Sequence, residues 1–563
     1  MIGQLVDISD EPTWLGAEHS PLFGWLSRPI SSEVLGGVVI VPSVGYEARS
    51  AKGALRVLAW ELARAGFVTL RFDLHGTGDS ARDFDEMLPS PDWVDDVGVA
   101  VDWLHSFGID SVSVVGMRLG ATLAVEAASN DDVDVSSLVL WDPCESGRSY
   151  LRELRALETL RRVSSSDSGD GSVETSEFLF SRDMAAATRE LKLEKLAHCN
   201  GVERTLVITR STRPLSPTLQ AHLVAAGASF EVTNEQDALL SVMPFDAEVP
   251  TVAITGIVNW LLEKVRSQTL SVAPVLHREA LLRVGDGVGV RERATFIGEQ
   301  GLFAILSEPE QPSPGPWIIL IGNIHDDHTG QSRMWVELSR RWSRSGLRCA
   351  RVDLSGLGES SRPNSTIPIE KLDLRWLGDI ATIGRVLDPK DPTNNVLVGF
   401  CAVAPIAREG ALTLGSKGVC TINPSVGRNV MHAILRLQLS DSRTLRRVAK
   451  ALKIRYARHP WVVSTVWESV RKLIPRPWSE DILDRLHRTG TDVFVLGNNQ
   501  DYLMFSQVPV VRSLEGRRKA KQDYPVIVIP DLDHSMTIAS GRDQMVTILD
   551  EHVRRTYACD RRK

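Results

Sequence analysis

The run NVLVGFCAVA, residues 395–404, decides how the rest of the chain is read. Val396, Leu397 and Val398 form a continuous apolar stretch that reads as a buried strand. It breaks at Gly399, and the small residues that follow open a helix. Strand, sharp turn, helix is the setting of a nucleophile elbow, written G-x-S-x-G, which lifts one side chain above a sheet. Here that side chain is Cys401. A thiol suits the position, because its thiolate is intrinsically nucleophilic and a nearby histidine favours it. Two features pull the other way. Val403 stands where the second glycine belongs, and a buried cysteine ordinarily behaves as a small inert hydrophobe.

Strands and helices alternate on either side of this run. GVVIVP (37–42), ALRVLAWELARAG (54–66) and FVTLRFD (67–73) read strand, helix, strand. An amphipathic stretch at 93–107, a strand at 112–116 and the helical GMRLGATLAVEAA (116–128) follow. The same order returns about 280 residues later as WIILIG (317–322), MWVELSRRWSRSG (334–346), a strand at 347–353, LDLRWLGDIATIGRVL (372–387) and the elbow strand. Alternation of this kind calls for a parallel sheet covered by helices. A single long offset marks two copies of one domain, whereas solenoid repeats run at about 20–50 residues. The expected organisation is a first domain at 1–265, a linker at 266–279 and a second domain at 280–563.

Composition fits this reading. Of 563 residues 43% are hydrophobic and 24% charged, with a formal net charge of −7, so no basic excess points to nucleic acid. The six cysteines show no C-x-x-C spacing, which argues against zinc and against a disulfide framework and fits a reducing cytoplasm. MIGQLVDISDEP (1–12) has no export signal. No apolar run reaches the length of a transmembrane span. The expected location is cytoplasmic.

Two further segments, DLHGTGDS (73–80) and DLSGLGES (353–360), share the pattern D-x-x-G-x-G-x-S. On them both halves resemble the α/β-hydrolase superfamily, and within it the serine-aminopeptidase-like hydrolases, including those of bacterial exopolysaccharide (exosortase-associated) loci. The resemblance implies the α/β class: two tandem α/β-hydrolase-like domains, each a mostly parallel helix-covered sheet with a cap insertion. It implies the chain order nucleophile, acid, histidine. Cys401 is then the candidate nucleophile, Asp501 after DVFVL (492–496) the acid, and His534 in DHSM (533–536) the general base. The expected oxyanion donors are the backbone N–H of Ala402 and one from Asn323 or Ile324. No cofactor is expected. Nor is a metal, although GNIHDDHTG (322–330) gathers His325, Asp326, Asp327 and His328, because acyl transfer of this kind needs none.

The first domain departs from the pattern at its centre. GMRLG (116–120) keeps both glycines but carries Arg118, whose guanidinium stays protonated and has no lone pair for attack. RSTRPLSP (210–217) offers no acid, and 229–250 contains no histidine. His75 and His222 lie in other elements and read as surface or packing residues. This domain is expected to be catalytically inactive. Arg118 is either an anion-binding candidate or the source of an internal salt bridge that seals a degenerate site.

The caps differ as well. That of the first domain, 145–196, holds SSSDSGDGSVETS (164–176), a polar stretch expected to be disordered. That of the second, 427–490, has 14 Lys and Arg against 5 Asp and Glu. A basic lid suits an anionic acyl donor such as a coenzyme A thioester, an acidic carrier protein or an acidic glycan. A solvated helix face or a helix on a membrane surface are the other readings. The expected function is hydrolysis or transfer of an acyl group from an ester or thioester through a Cys401 acyl-enzyme. The alternative is a non-catalytic pseudo-hydrolase that binds or scaffolds in a biosynthetic pathway.

Overall fold

A strand such as Val112–Met117, buried at every position, needs cover on both faces of its sheet. The computed structural model supplies that cover. It describes the chain apart from residues 1–6, 83–91, 161–170, 176, 243, 284–286, 312–313, 324–325, 361–374, 424–446, 448–449, 452–454, 456–481, 499–524, 537 and 559–563. The chain divides into two compact units, Met1–Gly287 and Val288–Lys563. The division falls beyond the 266–279 expected for a linker, for a local reason. Gln268–Thr269 pairs with Glu33–Val34, and the Trp14 N–H donates to the His277 carbonyl at 2.7 Å. These bonds fasten the segment to the first unit.

The first unit's sheet is ordered Ile8–Ala17, Ser20–Pro29, Val68–Phe72, Gly37–Val41, Val112–Met117, Ser137–Trp141, Arg204–Thr209, Ala228–Val232. The first two pairings are antiparallel and the rest parallel. Within Val288–Lys563 the order repeats as Val290–Ile297, Leu302–Pro309, Arg348–Val352, Trp317–Ile321, Asn395–Phe400, Gly418–Ile422, Asp492–Asn498, Val526–Ile529, with the same change of direction. Period-two alternation builds a core on each face. Val38 and Ile40 pack with Leu55, Leu58 and Ile257 on one side, while Val39 and Val41 pack with Val97, Val101 and Leu123 on the other.

The repeated D-x-x-G-x-G-x-S segment is a self-locked turn at the sheet end. The Asp73 carboxylate accepts the Asp79 N–H at 3.0 Å. Ser80 donates to the Asp73 carbonyl and accepts the Phe23 N–H. A Cβ on Gly78 would stand 2.0 Å from that carboxylate, so only glycine fits. Asp353, Glu359, Ser360, Phe303 and Gly358 reproduce the device, with 2.2 Å at Gly358.

A second shared device is a buried carboxylate on the first strand of the antiparallel hairpin. Glu292 accepts from Ser307 at 2.7 Å, Arg340 at 2.8 Å and Arg351 at 2.9 Å, and all three charged groups are buried. Its counterpart Asp10 accepts from Ser27 at 2.6 Å and Trp60 at 2.8 Å, with Arg71 farther off at 3.8 Å. Removing one partner of a dry charge pair costs about 3–5 kcal/mol. Glu292→Gln is therefore expected to lower unfolding free energy by that amount in urea titrations of the full chain. Asp10→Asn, at a wetter site, should cost about 1–2 kcal/mol. Equal losses would contradict the assignment.

Candidate active site

The elbow of the second unit forms where Asn395–Phe400 ends. Phe400 is still extended, Cys401 turns to φ 49°, Cys401–Val403 makes a single 3₁₀ turn and Ala404–Leu414 continues as α-helix with Pro405 in its first turn. A positive φ on a residue other than glycine stores about 1–3 kcal/mol of strain, and it aims Cys401 off the sheet end. The two elbows pack differently. A Cβ on Gly116 of the first unit would lie 2.5 Å from the Ala121 Cα, whereas one on Gly399 would lie 3.1 Å from the Ala404 Cα. The nearest atom to the Gly399 position is the Ala407 Cβ, at 2.7 Å, and the α-helix there begins only after the 3₁₀ turn.

Of the described cysteines Cys144, Cys199, Cys349 and Cys420 are buried, and Cys401 is partly exposed. Burial pushes the Cys199 thiol up to about 11, with Glu126 adding to it, and raises Cys144, Cys349 and Cys420 further. Those four are packing residues.

His534 meets Cys401: the sulfur lies 3.2 Å from Nε2. The histidine sits in a turn after Val526–Ile529 that its neighbour shapes. Asp533 accepts the N–H of Ser535 at 3.1 Å and of Ile538 at 2.9 Å. Asn423, fully buried at φ 41°, holds this turn from the adjacent strand end. Its Nδ2 donates to the carbonyls of Asp533 at 3.0 Å and His534 at 3.1 Å. Its Oδ1 accepts the Asn498 N–H at 2.9 Å. One side chain thus ties the histidine turn to the end of Asp492–Asn498, the strand that leads to Asp501. Asp501 itself lies outside the described residues, as does Ile324.

Sequence reading overlooked Asn423. The repeat marks it, because Asp142 occupies the same place in the first unit. Both have positive φ, and both donate their N–H to the next strand, at Ile208 and Leu496.

Of the expected oxyanion donors, Ala402 lies in the 3₁₀ turn directly after the cysteine. The Asn323 N–H is already committed, donating to the Asp326 carbonyl at 2.6 Å. In this state it is not an oxyanion donor. The neighbouring His328 is buried with Nδ1 2.8 Å from Asp353, which makes it a structural residue. Among the described residues no group of three or more His, Cys, Asp or Glu is arranged to hold a metal ion.

In the first unit the same position is filled by charge. Arg118, with φ 54° and 1% exposure, keeps the elbow backbone. Its Nε donates to Glu47 at 2.8 Å, Nη1 to the Asp142 carbonyl at 3.1 Å and Nη2 to Glu153 at 2.8 Å. The anion at Arg118 is thus the protein's own. Arg210 stands where an acid was sought, and ion-pairs with Asp142 and Asp237, each at 2.8 Å. Burial pushes the Glu153 carboxyl up, but the Arg213 and Arg118 guanidiniums outweigh it and hold it below the usual range. His75 bonds Asp96, and His222 bonds the Glu194 carbonyl.

The cap at 145–196 contains the helix Gly147–Leu160, a hairpin of Val173–Glu174 with Leu179–Phe180, and the helix Arg182–Glu190. Val173 and Glu174 therefore pair as strand where disorder was expected, because buried Val173 anchors them. Residues 164–170 and 176 lie outside the described residues, as does most of the basic cap at 427–490.

Arg118→Met removes the counter-charge of two carboxylates and should destabilise the chain by about 3–5 kcal/mol in urea unfolding. Arg118→Ser in a Cys401→Ala background should show no hydrolysis of a p-nitrophenyl ester, since among the described residues the partners at this position are Glu47, Asp142 and Glu153, and no histidine. Turnover there would refute the inactive reading of this unit.

Residues 318–547 match the model of the alpha/beta hydrolase family. No curated protein matches the chain. Among solved structures, a hypothetical protein from Pseudomonas aeruginosa is 16% identical, with 46% of this chain and 95% of that one covered at a TM-score of 0.33. An esterase from Rhizomucor miehei gives 16%, 46%, 85% and 0.33 for the same four quantities. Est1E from Butyrivibrio proteoclasticus, solved with ferulic acid bound, gives 14%, 44%, 98% and 0.34. The second unit therefore carries the alpha/beta hydrolase family match, over residues 318–547, and the first unit repeats its sheet order.

Proposed function

We propose that the second unit is an acyl hydrolase or acyltransferase that works on an ester or thioester through an acyl-enzyme on Cys401. The observation that carries this reading is the 3.2 Å approach of the Cys401 sulfur to His534 Nε2 at a strained elbow. His534 takes the thiol proton, and the thiolate attacks the carbonyl carbon. The tetrahedral oxyanion is met by the Ala402 N–H, and collapse expels the alcohol or thiol, which takes its proton from His534. Water or another acceptor, deprotonated by the same imidazole, then attacks the thioester and frees Cys401. Asp501 is the proposed partner that orients the imidazole. The first unit takes no part in this chemistry.

The substrate reading rests on charge. The basic composition of 427–490 favours an acyl donor with an anionic carrier, coenzyme A or an acidic carrier protein, over a neutral ester. The rival is a pseudo-hydrolase that binds without turnover, and the committed Asn323 amide favours it.

Intact-mass labelling with a panel of electrophilic esters and thioesters separates the two. One acyl adduct should form, it should map to Cys401, and Cys401→Ala should abolish it. His534→Ala should slow adduct formation by about 10²–10⁴-fold, the usual worth of a positioned base. An adduct elsewhere, or none with any member of the panel, would favour the binding reading.

A further inference from the structure

The first unit has a partly open cavity of about 380 Å³ beside the Arg118 network, within the size range of small-molecule sites. Glu47, Glu153, Glu158 and Asp237 line it, against Arg210 and Arg213. One part of its wall is apolar and aromatic, from Leu154, Leu157, Phe178 and Phe180, and Thr175, Thr212 and Ser241 add hydroxyls. The two phenyl rings meet edge to face with centroids 4.9 Å apart.

Which ligand fits follows from a count of donors and acceptors. Arg210 donates to Asp142, Asp237 and Ser241, and Arg213 to Glu153. Arg118 beside the cavity is likewise held by Glu47, Glu153 and the Asp142 carbonyl. An anion entering here would have to draw a guanidinium off carboxylates that already hold it. Carboxylates have about four lone-pair positions each, and the donors on Glu47 (Ser43 and Arg118), Glu153 (Arg118 and Arg213) and Asp237 (Arg210 and Thr212) leave positions on each for a further donor. The surplus charge of the lining has the same sign. Aromatic rings beside carboxylates also favour a cation, through their negative faces.

We propose that this cavity is a binding site for a small organic cation, a primary amine or guanidine on an apolar body, held by the carboxylates with its body against Phe178 and Phe180. It replaces chemistry with recognition at the position where the second unit carries its thiol. The proposal is independent of whether Cys401 is catalytic.

A matched series on one body tests it: 3-phenylpropylamine, 3-phenylpropanol and 3-phenylpropanoate, titrated calorimetrically into the full chain. The amine should bind with unit stoichiometry, at least about tenfold tighter than either relative, as expected for a charge-assisted hydrogen bond. Added salt should weaken it. Leu157→Arg, which brings a positive charge into the cavity, should weaken amine binding at least tenfold. Phe178→Ala should also weaken it, which covers the case in which Leu157→Arg does not fold. Cys401→Ala should bind as the unchanged protein does. Tighter binding of the carboxylate, equal binding of all three, no binding of the amine, or amine binding untouched by the folded cavity variants would each overturn the proposal.

Discussion

Both units depend on one backbone constraint: a residue that is not glycine must take a left-handed turn between a buried strand and a helix. Arg118 at φ 54° and Cys401 at φ 49° both meet it. The strain is tolerated because the strand before and the helix after are pinned by the sheet and core. In the first unit the fit is tight enough that a Cβ on Gly120 would lie 2.3 Å from the Val41 carbonyl. Such geometry persists whatever chemistry the side chain at the turn can do, and so one copy keeps an elbow with no nucleophile on it.

What surrounds each elbow then decides its character. In the first unit Glu47, Asp142, Glu153, Arg210 and Asp237 close a network around Arg118. Dry ion pairs of this sort add little net stability over apolar packing, yet breaking one is costly. The network therefore locks the site in its present state. In the second unit no such network forms around Cys401 among the described residues, and Asn423 uses neutral hydrogen bonds to hold the histidine turn.

The fold was legible in sequence because apolar strands, glycine turns and a long repeat each have a direct physical reading. The repeat located its own devices: the glycine at 78 and 358 exists because an aspartate side chain occupies the space of its Cβ. The meeting of Cys401 with His534 followed from the order of motifs along the chain. Side-chain networks were less legible. Glu47 and Glu153 come to Arg118 from a helix and a cap, and no spacing rule links such elements. Asn423 was missed because an asparagine after a strand looks like any turn residue until its two carbonyl partners are seen. Val173 escaped because a single buried valine in a polar run carries little pattern.

The thiol at the second elbow sets how far that elbow reaches. Sulfur is larger than oxygen and sits farther from its Cβ, so it crosses more of the gap to the histidine turn. The 3.2 Å approach to His534 Nε2 uses that extra length. A hydroxyl on the same backbone at 401 would stand farther from the ring, and the hydrogen bond would be stretched.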